Sequence, residues 1–135
     1  MSKKKNNYGL WSLLAVFVLI LGAIYFSNRY SQSTTGENDV ALSSFAQCLE
    51  DKGARFYGAF WCSHCQDQKE MFGGAAKDLP YVECSTRDGK GQLPECQKNN
   101  ISGYPTWEFA DGSRMSGSLP LGILAEKSGC ALPAV

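Results

Sequence analysis

The sequence predicts an α/β domain with a mixed central sheet, behind a single N-terminal transmembrane helix. Two observations carry this prediction. Residues 8–26 contain no charged side chain, and from residue 40 onward helical apolar patterns alternate with short strand-like segments in the order αβαβαββα. The chain has 135 residues, 44% of them hydrophobic and 19% charged, which is enough for one compact domain. Its formal net charge of zero argues against a nucleic acid partner.

The apolar run at 8–26 is long enough, at about 1.5 Å per residue, to cross the hydrocarbon core of a bilayer. A lysine cluster at 3–5 precedes it, so the positive-inside rule predicts that residues 1–7 are cytoplasmic and the rest of the chain extracytoplasmic, in a periplasm or lumen. The alternative is a cleaved signal peptide. Such peptides have shorter apolar cores and small residues at the cleavage site. Either interpretation places the cysteines in an oxidising compartment.

The segment 27–39 is polar and rich in Ser and Thr, which predicts a flexible linker before a folded domain at 40–135. Glycine at 53 suits the end of the first helix. The elements predicted for the domain are a helix at 42–53, a strand at 54–60, a helix at 62–79 broken at Gly73-Gly74, a strand at 80–84, a short helix at 94–100, strands at 104–112 and 113–118, and a closing helix at 119–130. Tyr57, Phe60, Phe72 and Phe109 are predicted to lie in the core.

Cys62 and Cys65 are spaced as a redox pair at the start of a helix. The unpaired N–H groups and the dipole of that helix favour thiolate at Cys62, which is therefore the predicted nucleophile. Cys65, one turn further in, is predicted to resolve the mixed disulfide, and an imidazolium at His64 would stabilise the Cys62 thiolate further. Trp61 is predicted to lie on the rim of the site and shield the sulfurs.

Two other interpretations compete for Cys62 and Cys65. The spacing also begins zinc sites, but these usually need a second close pair of ligands, so no metal is predicted. A purely structural disulfide is disfavoured because so short a loop constrains little of the unfolded chain. The pair is instead predicted to alternate between dithiol and disulfide, with no bound cofactor.

"WCSHC" after an aromatic strand resembles the active site of the thioredoxin fold, in the histidine-containing form of disulfide isomerases and oxidases. "SGYPTW" at 102–107 resembles the proline loop of that fold. The resemblance implies a cis bond before Pro105 and a Tyr104 backbone that binds an extended substrate strand beside Cys62. Over 42–130 the chain looks most like the thioredoxin-like domain of bacterial vitamin K epoxide reductase homologues, through "GARFYGAFWCSHCQDQKEMFG", "LPYVEC" and "GYPTWEF".

The chain departs from these relatives at two positions. Ser63 stands where such domains usually have proline, and this change bears on the redox potential. Phe56 stands where many thioredoxins carry a buried carboxylate that helps to remove the proton of the second cysteine. The candidates for a replacement base are Lys69 and Glu83.

The remaining four cysteines are expected to be structural. A Cys84–Cys96 disulfide would close a loop of about a dozen residues, contribute roughly 3 kcal/mol, and match the resembling domains. A second disulfide, Cys48–Cys130, would tie the first helix to the end of the domain. The alternative for that pair is two free, partly buried thiols, because sequence alone does not determine connectivity.

These features predict a membrane-anchored, extracytoplasmic thiol–disulfide oxidoreductase that oxidises or isomerises disulfides in exported proteins. The resemblance implies re-oxidation by a quinone-reducing partner similar to vitamin K epoxide reductase, which would be a separate polypeptide because this chain has one span. Two alternatives stay open. One is an extracytoplasmic disulfide reductase fed by a transmembrane electron carrier, and the other is a tethered module that binds substrates without catalysis.

Overall fold

A computed structural model describes residues 8–134, except for the side chains at 8–10 and 29–35. The predicted cytoplasmic segment 1–7 lies outside the described residues. The chain divides into two compact units, Met1–Glu37 and Asn38–Val135. The first helix, α1, comprises Tyr8–Asp51.

The segment 27–39, for which the sequence predicts a flexible linker, is helical within α1. It contains no proline, and helical segments precede and follow it, so nothing in its sequence interrupts the backbone hydrogen bonds. Its polar composition favours solvent exposure, and exposure does not prevent a helix.

The first unit contains a stretch that is apolar enough to cross a membrane. Trp11–Asn28 has a mean hydropathy of 1.9, and none of it is buried. This agrees with a membrane-spanning helix by length and composition. The orientation of the helix depends on the lysines at 3–5, so it stays a prediction.

The second unit is built on a four-stranded mixed sheet with the strand order β2-β1-β3-β4. Its strands are β1 Arg55–Gly58, β2 Tyr81–Glu83, β3 Thr106–Glu108 and β4 Arg114–Ser116. β1 and β2 are parallel, whereas β1 with β3 and β3 with β4 are antiparallel. The α/β class and the mixed sheet are therefore confirmed. β3 is shorter than the predicted 104–112, since Pro105 has no N–H for the ladder.

The helices of this unit follow the predicted positions. They are α2 Ser63–Glu70, a 3₁₀ helix at Gly73–Asp78, α3 Pro94–Lys98 and α4 Leu121–Ser128. The predicted break is present, because α2 ends before Gly73, which has φ +50° and begins the 3₁₀ helix. Gly53, at φ 78°, follows the end of α1 in the left-handed conformation.

The core lies between the sheet and the helices. Phe56 of β1 stacks on Trp107 of β3 with ring centroids 4.8 Å apart, and both are fully buried. Buried apolar residues of α1, including Phe45 and Leu49, belong to the same cluster. Of the four aromatic residues predicted to be core, Phe60 is not buried, since 49% of its surface is exposed. It follows the end of β1, where the chain turns toward α2.

Two disulfides brace this unit. One joins Cys48 of α1 to Cys130 after α4, and the other joins Cys84 after β2 to Cys96 in α3. The structure thus pairs the four cysteines outside the Cys62–Cys65 segment. The first link spans 82 residues and the second spans 12, so they constrain the chain over very different lengths.

Candidate active site

Cys62 is the N-cap residue of α2, and Cys65 lies in its first turn. The Cys62 Sγ accepts a hydrogen bond from the backbone N–H of Cys65 at 3.3 Å, which satisfies one of the free donors at the helix start. Both cysteines are free thiols. Cys62 is 7% exposed and Cys65 is 0% exposed, so an incoming sulfur reaches Cys62 first.

Cys65 is held in its protonated form. Burial, followed by the side-chain hydrogen bond with Cys62, raises the pKa of its thiol to about 12. The thiol therefore has almost no thiolate character at neutral pH. Any reaction in which Cys65 acts as a nucleophile needs a group that takes its proton.

A tyrosine that the sequence did not single out lies beside Cys65. A Cβ atom built on Gly58 would lie 2.6 Å from Cε2 of Tyr81, 3.1 Å from Sγ of Cys65 and 3.3 Å from the Tyr81 hydroxyl. The thiol and the hydroxyl therefore both lie close to the bare Cα of Gly58. Only glycine leaves room for this approach.

Tyr81 is linked to both residues that were predicted as replacement bases. Its hydroxyl donates to Oε2 of Glu83 at 2.8 Å, and Nζ of Lys69 lies 3.6 Å from the centroid of its ring. Burial and then the hydrogen bond to Glu83 raise the pKa of Tyr81. The sequence signal for this group was the spacing of Tyr81 and Glu83, since residues two apart on a strand point to the same face.

Phe56 offers no proton acceptor. Its ring is fully buried and packs edge-on against Tyr81 at 5.3 Å. The polar side chains nearest to Cys65 thus come from α2 and β2, whereas β1 contributes an aromatic ring and a glycine.

Trp61 and Tyr104 form an aromatic wall beside the thiols. Their rings contact edge to face at 5.9 Å, and Trp61 is 54% exposed. The peptide bond between Tyr104 and Pro105 is cis, and Pro105 is buried. The structure therefore brings Tyr104 next to the residue that precedes Cys62.

The loop at 85–93, between β2 and α3, holds this wall in place. Ser85 Oγ accepts a hydrogen bond from Nε1 of Trp61 at 2.8 Å. Gln92 Nε2 donates to the Tyr104 hydroxyl at 2.9 Å. The Cys84–Cys96 disulfide closes the same loop, so its predicted structural role extends to the wall of the site. Sequence reasoning missed Ser85 and Gln92, because neither lies in a recognisable motif.

His64 lies on the exposed face of α2. Its Nδ1 is 3.2 Å from Oδ2 of Asp67, and both side chains are more than half exposed, at 69% and 55%. The histidine thus contacts a carboxylate one turn along the helix. The influence on Cys62 that the sequence predicts for His64 stays a prediction.

No group of three or more potential metal ligands occurs among the residues whose side chains the structure describes. The donor atoms around Cys62 and Cys65 are two thiols, a tyrosine hydroxyl and one carboxylate. This set suits thiol exchange with proton transfer.

No protein-family model matches the chain. The chain is similar to a protein of Arabidopsis thaliana named thiol-disulfide oxidoreductase LTO1, with 45% identity over 112 residues. The match covers 80% of this chain and 28% of that protein, so the chain spans little more than a quarter of the relative's length. An alignment that covers 80% of the chain includes its central residues, whether the unaligned fifth lies at the N-terminus, at the C-terminus or at both. Residues 62–65 and 104–105 therefore lie within it.

Proposed function

We propose that this chain is a membrane-anchored thiol–disulfide oxidoreductase with a thioredoxin-like domain outside the cytoplasm. The observation that carries the proposal is the pair of free thiols at the start of α2, with Cys62 slightly exposed at the N-cap and Cys65 buried behind it. The name of the similar plant protein supports the same chemistry. The mixed strand order β2-β1-β3-β4 and the proline loop beside Trp61 support the thioredoxin-like assignment.

In the oxidising direction the cycle starts from a Cys62–Cys65 disulfide. A substrate thiolate attacks Sγ of Cys62, the disulfide breaks, and Cys65 leaves with the bonding electron pair and takes up a proton. A second substrate thiolate then attacks the substrate sulfur of the mixed disulfide, and Cys62 leaves as thiolate. Two electrons pass from the substrate to the pair. The N–H groups at the start of α2 stabilise the thiolate that leaves last.

The substrates are exported proteins that carry thiols or disulfides. The Tyr104 backbone and Pro105 present an extended substrate segment to Cys62, and Trp61 shields the sulfurs from solvent. Exposed aromatic surface at Phe60 and Trp61 provides apolar contact area for an unfolded segment. His64 stabilises the reduced form and so makes the disulfide a stronger oxidant.

The reduced pair is re-oxidised by a membrane partner that passes the two electrons to a quinone, similar to vitamin K epoxide reductase. The candidate span Trp11–Asn28 keeps the domain at the membrane surface where such a partner lies. Tethering raises the effective concentration of the two proteins for each other.

A single-turnover assay tests the catalytic assignment. The full chain in lipid nanodiscs, oxidised at Cys62–Cys65, is mixed with a dithiol peptide whose fluorescence reports disulfide formation. Cys62→Ser should abolish oxidation. Cys65→Ala cannot form the pair disulfide, so it is mixed in reduced form with the disulfide form of the peptide; Cys62 should attack that disulfide, release one peptide thiolate and accumulate as a mixed disulfide with the other peptide sulfur. Wild-type rates in Cys62→Ser would overturn the proposal in favour of a non-catalytic binding module.

The reduction potential of the pair decides the direction. We expect a value well above the roughly −270 mV of thioredoxin. A potential near that value would show that electrons pass from the pair to the substrate, and that the protein is a reductase.

The orientation in the membrane is tested by labelling. In intact cells that express the full chain and are first treated with a membrane-impermeant reductant to open the Cys62–Cys65 disulfide, a membrane-impermeant thiol reagent should label Cys62 in the wild type, and this label should be lost in Cys62→Ser. Labelling that requires lysis would refute the extracytoplasmic location.

A further inference from the structure

The cycle proposed above moves a proton on and off Cys65, and this residue has no exposed surface. Its pKa of about 12 means that the thiol does not ionise by itself at neutral pH. The position at which many thioredoxins carry a buried carboxylate is occupied by Phe56. The proton therefore needs another path to solvent.

β2 provides groups that connect the buried thiol to the surface. The Cys65 Sγ and the Tyr81 hydroxyl both lie within 3.3 Å of one point above Gly58. The hydroxyl donates to Oε2 of Glu83 at 2.8 Å, and Tyr81 and Glu83 are both half-buried. Since the thiol and the hydroxyl lie 3.1 and 3.3 Å from that point, they are at most 6.4 Å apart, a gap that one bridging water can span in an acid–base relay.

Glu83 is held in place by its other oxygen. Oε1 accepts the backbone N–H of Ser85 at 2.8 Å and that of Phe60 at 3.3 Å. These two bonds tie the carboxylate to the loop after β2 and to the segment that leads into Cys62. The oxygen that faces Tyr81 is thus left for proton exchange.

We propose that Tyr81 and Glu83 form the proton relay of Cys65, with Glu83 as the terminal base and acid and Tyr81 as the group that passes the proton. This inference rests on the proposed redox function. It assigns a further site role to Tyr81 and makes Glu83, rather than a residue of β1, the internal base.

The relay acts in both directions of disulfide exchange. When Cys65 resolves a mixed disulfide, its S–H proton passes to the Tyr81 oxygen while the Tyr81 proton passes to Glu83. The Cys65 thiolate forms a bond to Sγ of Cys62, and the partner sulfur leaves with the electron pair of the broken bond. In substrate oxidation Cys65 is the leaving group, and the same proton returns to it from Glu83 through Tyr81.

The other titratable groups that face Cys65 do not replace this path. Cys62 is part of the disulfide during the step. Lys69, on the same helix, lowers the pKa of Cys65, but an ammonium group has no lone pair for the proton. Its position over the Tyr81 ring instead stabilises negative charge that develops on Tyr81 and Glu83.

Two variants separate the relay from simple packing. Glu83→Gln keeps an oxygen for the backbone bonds of Ser85 and Phe60, and Tyr81→Phe keeps the ring between Gly58 and Lys69 while removing the hydroxyl. Glu70→Gln, an exposed carboxyl near the end of α2, is the matched control. Each variant is made in the full chain and studied in nanodiscs.

The assay uses an aromatic disulfide whose released thiolate absorbs visible light. Reduced protein first forms a mixed disulfide at Cys62, which releases one equivalent of chromophore, and Cys65 then releases the second. We expect Glu83→Gln and Tyr81→Phe to slow the second release about tenfold to a hundredfold near pH 6–7 and to leave the first unchanged. The deficit should shrink as pH rises and hydroxide takes the proton, and small carboxylate buffers should restore part of the Glu83→Gln rate.

The outcomes distinguish this inference from the function on which it rests. Absence of the first release in the wild type would refute the proposed redox function itself. A normal first release with an unchanged second release in both variants would refute the relay. Equal slowing of both releases would also refute it, because it would show a structural role for these side chains.

Discussion

Replacement of Gly58 by alanine tests the closest approach in the site. The new Cβ would lie 2.6 Å from Cε2 of Tyr81 and 3.1 Å from Sγ of Cys65. Ordinary contacts between such atoms are about 3.5–4.0 Å, so the Tyr81 ring has to move by about 1 Å. Overpacking of this kind typically costs about 1–3 kcal/mol. Alanine also restricts the unfolded chain, which offsets about 0.4–1 kcal/mol.

We therefore expect Gly58→Ala to lower the free energy of unfolding by about 1–2 kcal/mol. The measurement is urea unfolding of the reduced full chain in detergent micelles, followed by the fluorescence of buried Trp107. Gly122→Ala is the control, because a Cβ there meets no atom within 4 Å and the residue lies in α4. That variant should gain about 0.5–1 kcal/mol from helix propensity.

The two glycine variants should thus change stability in opposite directions. A loss of less than about 0.5 kcal/mol in Gly58→Ala, with a normal gain in Gly122→Ala, would refute the tight approach between β1, Tyr81 and Cys65. A displaced Tyr81 ring should also slow the second thiol release of the chromophore assay. A loss of stability without that slowing would show that the packing around Gly58 does not affect proton transfer from Cys65.

Three further predictions concern the core, the disulfides and pH. Gln68 is fully buried and bonds Trp107 and the Leu119 backbone, so Gln68→Leu should cost about 2–5 kcal/mol in urea unfolding; a loss below about 1 kcal/mol would contradict this network. Replacement of both Cys48 and Cys130, which lie 82 residues apart, by serine should lower the melting temperature more than replacement of both Cys84 and Cys96, which lie 12 residues apart. The reverse order would contradict the loop-entropy argument. Because burial raises the pKa of Cys65 to about 12, this thiol ionises at a lower pH in the unfolded chain than in the folded protein. The contribution of Cys65 to the stability of the reduced protein should therefore fall from about pH 8.5 upward, by at most about 1.4 kcal/mol per pH unit, and Cys65→Ser should lack this component; identical pH slopes would refute it.

Much of the fold could be predicted from the sequence, because the sequence patterns that define its helices, strands and turns are local. Apolar periodicity and glycine positions located the helices and strands to within a few residues, and the break at Gly73 followed from one dipeptide. The same local signals misjudged the segment 27–39, whose polar residues form helix, and Phe60, whose aromatic ring is half-exposed. A polar composition indicates that a segment is exposed to solvent, but it does not determine the backbone conformation. The exposure of a residue just after a strand, such as Phe60, depends on the turn that follows.

The sequence by itself determined the features on which the proposed chemistry rests. Two cysteines at helical spacing, an apolar run near the N-terminus and a Tyr-Pro step define a thiol pair, a candidate span and a proline loop, because each depends on residues close together in the chain. The tertiary structure alone decided what surrounds the thiols. Parallel pairing of β1 with β2 places Tyr81 and Glu83 across Gly58 from Cys65, and the loop closed by Cys84–Cys96 brings Ser85 to Trp61. These contacts join residues some 15 to 25 positions apart, and only sheet register and packing determine which of them meet.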